Sequence, residues 1–76
     1  MPKLPVLSGK EAQRIFEKIG YVLDRQRGSH LILRQINPPH RRLTIPNHAE
    51  LSKGTLRSLL RESGLSVDEL IQLLSE

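Results

Sequence analysis

Apolar positions recur with two different periods along this chain, and the change of period separates helical from extended segments. Ala12, Ile15, Phe16 and Ile19 fall at i, i+3, i+4 and i+7, the spacing that lines one face of an α-helix. Ser8 precedes them with Glu11 three positions on, the reciprocal cap in which each side chain satisfies the other residue's free backbone N–H. Gly20 is placed to end that helix. Two short strand-like runs follow, Tyr21 to Gln26 and His30 to Gln35, separated by Arg27, Gly28 and Ser29, which reads as a hairpin with a glycine-bearing loop. Asn37, Pro38 and Pro39 interrupt the chain. Arg41 to Pro46 then form a third strand, with Leu43 and Ile45 alternating against Arg42 and Thr44 until Pro46 stops it.

The C-terminal third returns to the helical period. Ser52 caps a helix carrying Leu56, Leu59 and Leu60 and ending at Gly64, while Ser66 with Glu69 forms a second reciprocal cap before Val67, Leu70, Ile71 and Leu74. The predicted order is α-β-β-β-α-α. Three antiparallel strands with one apolar face need a cover, and helices on one side supply it, so the expected fold is α+β: a two-layer domain with a three-stranded antiparallel sheet. Residues 1–7 read as an extended N-terminal arm and 8–76 as a single domain. A chain of 76 residues has room for one thin hydrophobic layer, which argues against a large substrate pocket.

Composition narrows the chemistry. There is no cysteine, so neither a disulfide framework nor a thiolate zinc site supports the fold, and a reducing, cytoplasmic location is expected. Met1 to Val6 holds two prolines and no long apolar run, so neither a signal peptide nor a membrane span is expected. Charge is uneven. Between Tyr21 and Arg61, eight arginines and lysines stand against only Asp24 and Glu50, a net +6, while the rest of the chain carries −2. A basic middle points to a polyanion, since arginine and lysine release counterions when they replace them on phosphates. Nucleic acid is the leading partner class.

Gly28, Ser29 and His30 place one histidine at the head of the second strand. If Leu31 and Leu33 face the helices, His30, Ile32 and Arg34 point to the opposite face, where Arg42 and Thr44 of the third strand join them. An imidazole titrates near neutral pH and suits proton transfer.

Gly20 with Tyr21, then Arg25, Gly28, Ser29 and His30, then Ile45, Pro46, Asn47 and His48, then Leu51, Lys53, Gly54, Thr55 and Leu56, and finally Gly64 and Leu65 form an ordered set. In these residues the chain resembles the HicA (YcfA-like) mRNA interferase toxins. The resemblance implies a fold like the double-stranded-RNA-binding domain, endoribonuclease activity on mRNA as the toxin of a toxin–antitoxin system, and neutralisation by a HicB-type antitoxin protein. The family's catalytic histidine maps onto His30. Ser66 to Glu76 extends beyond the shortest members, and its apolar spacing favours a core helix over a partner surface.

A single histidine is enough for such chemistry. RNA carries its own nucleophile, the 2′-OH, so the catalyst must take that proton, stabilise the phosphoryl oxygens and assist the leaving 5′-oxygen. His30 is the candidate general base, turned into place by Gly28 and Ser29, and Arg34 and Arg42 are candidates to grip phosphate with forked donors. His48 is the candidate general acid ahead of His40, which sits in a proline-rich turn. Three histidines at 30, 40 and 48, with no carboxylate at ligand spacing, form no recognisable metal pattern, so no metal or other cofactor is expected. Gly54 between Lys53 and Thr55 lacks the preceding glycine of a phosphate loop, although the helix N-terminus there can still receive a phosphate. Lys53, Arg57 and Arg61 line one helix face, either to track RNA or as an ordinary solvated face. Two functional readings follow: a metal-independent mRNA-cleaving ribonuclease using His30, and a non-catalytic RNA-binding module with a basic sheet and helix face.

Overall fold

The computed structural model describes residues 3–76; Met1 and Pro2, the first residues of the predicted arm, lie outside the described residues. Six elements follow in the predicted order: α1 (Gly9–Glu17), β1 (Tyr21–Arg27), β2 (His30–Gln35), β3 (Arg42–Pro46), α2 (Lys53–Ser63) and α3 (Val67–Leu74). The strands form one open antiparallel sheet in the order β1-β2-β3, and the fold is α+β.

Local chemistry sets the helix ends. Ser8 Oγ accepts from the Glu11 N–H at 3.1 Å while Glu11 Oε1 accepts from the Ser8 N–H at 2.9 Å, and Ser66 and Glu69 repeat the pattern on α3. On α2, Ser52 Oγ accepts from the Thr55 N–H at 3.1 Å, and Gly64 closes the helix at φ +77°. α1 is shorter than its apolar stripe predicts. It stops at Glu17, and Ile19 lies in the following turn, 37% exposed, because the chain must reverse into β1 before another helical turn could form. On α3, Leu73 rather than Leu74 packs against the core; Leu74 is 38% exposed.

The core is the layer between sheet and helices. Leu31, Leu33, Leu43 and Ile45 supply its floor, paired across the strands as Leu31 with Ile45 and Leu33 with Leu43. Ala12, Ile15 and Phe16 of α1, Leu56, Leu59 and Leu60 of α2 and Leu70 of α3 cover it. Leu70 is fully buried, so α3 is part of this core. The end of the arm belongs to it as well: Leu7 is buried, Leu4 packs beside it, and the Leu7 carbonyl accepts from the Leu51 N–H at 2.7 Å. Lys18 Nζ donates to the Leu73 carbonyl at 2.9 Å, bringing positive charge to the C-terminal end of α3, whose own last turn has none.

Candidate nucleic-acid interface

The β1–β2 connection is tighter than the sequence indicates. Arg27 belongs to β1, and the loop is only Gly28 and Ser29. Gly28 takes φ +56°. A positive φ at the first central residue suits a two-residue hairpin, because its twist matches that of the flanking strands. Gln26 Nε2 donates to the Gly28 carbonyl at 3.1 Å and braces the turn. His30 therefore starts β2 opposite Arg27 on one side and Pro46 on the other.

Burial fixes the direction of the side chains. Leu31 and Leu33 are fully buried, so His30, Ile32 and Arg34 occupy the face of the sheet away from the helices. Residues directly opposite in an antiparallel pair share a face. Arg42 joins Arg34 and Thr44 joins Ile32, as the alternation predicts. Ile32 is half-buried there, between Thr44 and Arg25.

Two further arginines reach this face through an irregularity that alternation alone would misplace. Counting by twos from buried Tyr21 assigns Arg25 and Arg27 to the helix side. The register between β1 and β2 shifts after Leu23, so the pairs become Arg25 with Ile32, Gln26 with Leu31 and Arg27 with His30. This β-bulge adds one residue, Asp24, and reverses the alternation beyond it. An arginine turned toward the apolar layer would lose hydration with no partner, so the bulge is the arrangement that keeps both guanidiniums in solvent. The open face consequently carries Arg25, Arg27, Arg34 and Arg42 around His30. Asp24 approaches Arg34 Nε at 3.9 Å, the only ion pair among the described residues. Both side chains are partly exposed and the approach is long, so the pair contributes at most about 1 kcal/mol.

The three histidines are separated by the fold. His48 follows Asn47, whose backbone N–H donates to the Ser29 carbonyl at 2.6 Å, and the His48 carbonyl accepts from the Gly9 N–H at 2.9 Å. The loop after β3, the first turn of α1 and the turn before His30 thus form one end of the molecule. His40 is at the other end, in the β2–β3 turn, with φ +57° and Nδ1 3.1 Å from the Gln35 carbonyl. Arg34 and Arg42 share the face of His30, but four residues along a strand is about 13 Å at 3.3 Å per residue. That distance suits a flanking phosphate better than one held at His30.

Lys53, Arg57 and Arg61 are exposed on α2, whose buried side packs on the sheet. Arg57 and Arg61 therefore lie on the helix layer, away from the arginines of the open face. Lys53, the first residue of α2, follows the loop that carries His48. Two shallow clefts share Leu73, one of about 190 Å³ between Ile19, Leu65 and α3 and one of about 260 Å³ between α1 and the end of α3, and neither includes His30. Among the described residues no group of three or more histidine or carboxylate side chains is placed to hold a metal, and no helix is long and apolar enough to cross a membrane.

An open, arginine-rich sheet face with one exposed histidine suits an extended polyanion better than a small molecule. A family model described as the HicA toxin of bacterial toxin–antitoxin systems matches residues 9–65. The chain belongs to the HicA toxin family, and α3 lies outside the matched region. A search of curated proteins found no match.

Proposed function

We propose that this toxin is a metal-independent endoribonuclease that cleaves mRNA, with His30 as general base. The observation that carries the reading is the exposed His30 at the head of β2, on a face bearing four arginines and a single carboxylate. RNA laid along the sheet presents its phosphates to Arg25, Arg27, Arg34 and Arg42, and guanidinium forks suit phosphate oxygens. His30 takes the 2′-OH proton, the 2′-oxygen attacks the adjacent phosphorus, and the P–O5′ bond breaks. The leaving 5′-oxygen gains a proton from His48, the candidate acid at the same end of the sheet, to give a 2′,3′-cyclic phosphate and a free 5′-OH. The nucleophile is part of the substrate and the protons move through imidazoles, so the scheme calls for no metal.

A HicB-type antitoxin is the expected protein partner. The test is RNA cleavage by wild type and His30→Ala with chelator present throughout. His30→Ala should keep its thermal unfolding transition and lose at least about 10²-fold in cleavage rate, the usual contribution of a general base. Full cleavage by the folded variant would remove His30 from the chemistry. RNA binding without cleavage by wild type would leave a binding module, and activity restored only by a divalent ion would overturn the metal-free scheme.

A further inference from the structure

We propose that Arg27 is the residue that holds the scissile phosphate beside His30. The inference deepens the ribonuclease reading above and rests on it. Arg27 and His30 are the last cross-strand pair before the two-residue turn, and they share the open face because the bulge at Asp24 reverses the alternation of β1. Directly opposed residues in such a pair have Cβ atoms about 4.5–5.5 Å apart. A guanidinium and an imidazole on that spacing can reach two sides of one phosphodiester: the ring toward the 2′-OH, the fork toward the non-bridging oxygens.

No other arginine of the face is so placed. Arg25 is opposite Ile32, two cross-strand pairs further from the turn. Arg34 approaches Asp24, and Arg42 is opposite Arg34, about 13 Å along the strands from His30. Gly28 and Ser29 follow Arg27 and Pro46 lies across from His30 on β3, none of them a carboxylate, and the turn joining Arg27 to His30 is braced by Gln26. The tight turn fixes the backbone that carries the pair, so only the two side chains have to be ordered when the phosphate arrives.

In the step itself, the proton of the 2′-OH passes to the His30 ring, a P–O2′ bond forms, the P–O5′ bond breaks and the 5′-oxygen is protonated. No redox change occurs and no atom is added to the RNA. Negative charge builds on the two non-bridging oxygens as the phosphorus becomes five-coordinate, and Arg27 donates to them most strongly at that point. It is thus a catalytic residue whose effect is on turnover more than on affinity.

Single-turnover cleavage of a short RNA distinguishes this from general charge attraction. Wild type, Arg27→Ala, Arg27→Lys, His30→Ala and, as a control on α1 far from the sheet face, Arg14→Ala are compared. Affinity is measured in parallel with the same RNA carrying 2′-O-methyl groups, which cannot be cleaved. Arg27→Ala should lose about 10²–10³-fold in maximal rate, as removal of one transition-state donor does, with affinity lowered only a few-fold. Arg27→Lys should recover part of the rate, and Arg14→Ala should match wild type. A full maximal rate for Arg27→Ala, or a loss confined to affinity, overturns the proposal. If His30→Ala is inactive while Arg27→Ala is not, this inference alone fails; if wild type does not cleave RNA, the ribonuclease reading fails with it.

Discussion

Asn47 donates its backbone N–H to the Ser29 carbonyl at 2.6 Å, tying the loop after β3 to the turn that delivers His30. The next residue, His48, is tied in turn to α1 through the Gly9 N–H. His30 at the head of β2 and His48 in the loop after β3 are thus connected through backbone hydrogen bonds among the β1–β2 turn, that loop and the start of α1.

Gly9 marks where that assembly is tightest. A methyl group there would lie inside van der Waals contact with the Pro46 carbonyl oxygen and against Asn47 Cα. Gly9→Ala should therefore destabilise the domain by about 1–3 kcal/mol, the usual cost of overpacking, despite the better helix propensity of alanine. Chemical denaturation measures it. Stability equal to wild type would show that the Pro46–Asn47 backbone gives way freely.

The two basic surfaces can be told apart by salt. Reversing Arg34 and Arg42 to glutamate should weaken RNA binding and reduce the slope of log K against log salt by about 1.4 for a single strand, two phosphate contacts at 0.7 each. Lys53→Glu with Arg57→Glu should have the smaller effect, since Arg57 lies on the helix layer. The reverse ranking would move the RNA to α2.

Acid should weaken the caps of α1 and α3. The backbone N–H of Ser8, then its hydroxyl, holds Glu11 below the ordinary 4.5, and Ser66 acts on Glu69 in the same order. A folded-state pKa below the unfolded one gives stabilisation that is fully present above the ordinary value and is lost as pH falls through the lowered one. Comparing denaturation in neutral and acidic buffer, the double variant Glu11→Gln, Glu69→Gln should lose less stability on acidification than wild type. Equal losses would place the acid sensitivity elsewhere.

Tyr21 is buried edge-on against Phe16, with ring centroids 5.8 Å apart, and its hydroxyl has no hydrogen-bond partner. Burial pushes its pKa up, opposed in part by Arg41 and then by Gln35, which lies near the hydroxyl but outside hydrogen-bonding geometry. Tyr21→Phe keeps the ring contact and removes an unpaired polar atom, so stability should hold or rise by about 1 kcal/mol. A clear loss on denaturation would reveal a partner for the hydroxyl.

Occlusion by the antitoxin should be direct. The open face offers an acidic partner four guanidiniums and the half-buried Ile32 as an apolar anchor. Hydrogen exchange of the complex should show added protection over His30 to Arg34 and Arg41 to Ile45. Protection confined to Val67 to Glu76 would instead make α3 the docking element.

Much of this protein was legible because it is written in short-range chemistry. The caps at Ser8 and Ser66, the stop at Gly64 and the alternation of Leu31, Leu33, Leu43 and Ile45 depend on residues within a few positions of one another, and each reads directly as helix, end or buried face. The same logic put His30 on the open face with Arg34 and Arg42. Tertiary pairing decided the rest. A bulge at Asp24 depends on which residues β2 presents across the sheet, so the placement of Arg25 and Arg27 followed from register and not from the period of β1. That His48 lies at the His30 end of the sheet and His40 at the other rested on which end of β2 each loop meets, a matter of chain reversal. The close approach of Gly9 to Pro46 and the reach of Lys18 to Leu73 join residues more than thirty positions apart in the chain. Such contacts arise from packing the helices onto the sheet, and no local spacing encodes them.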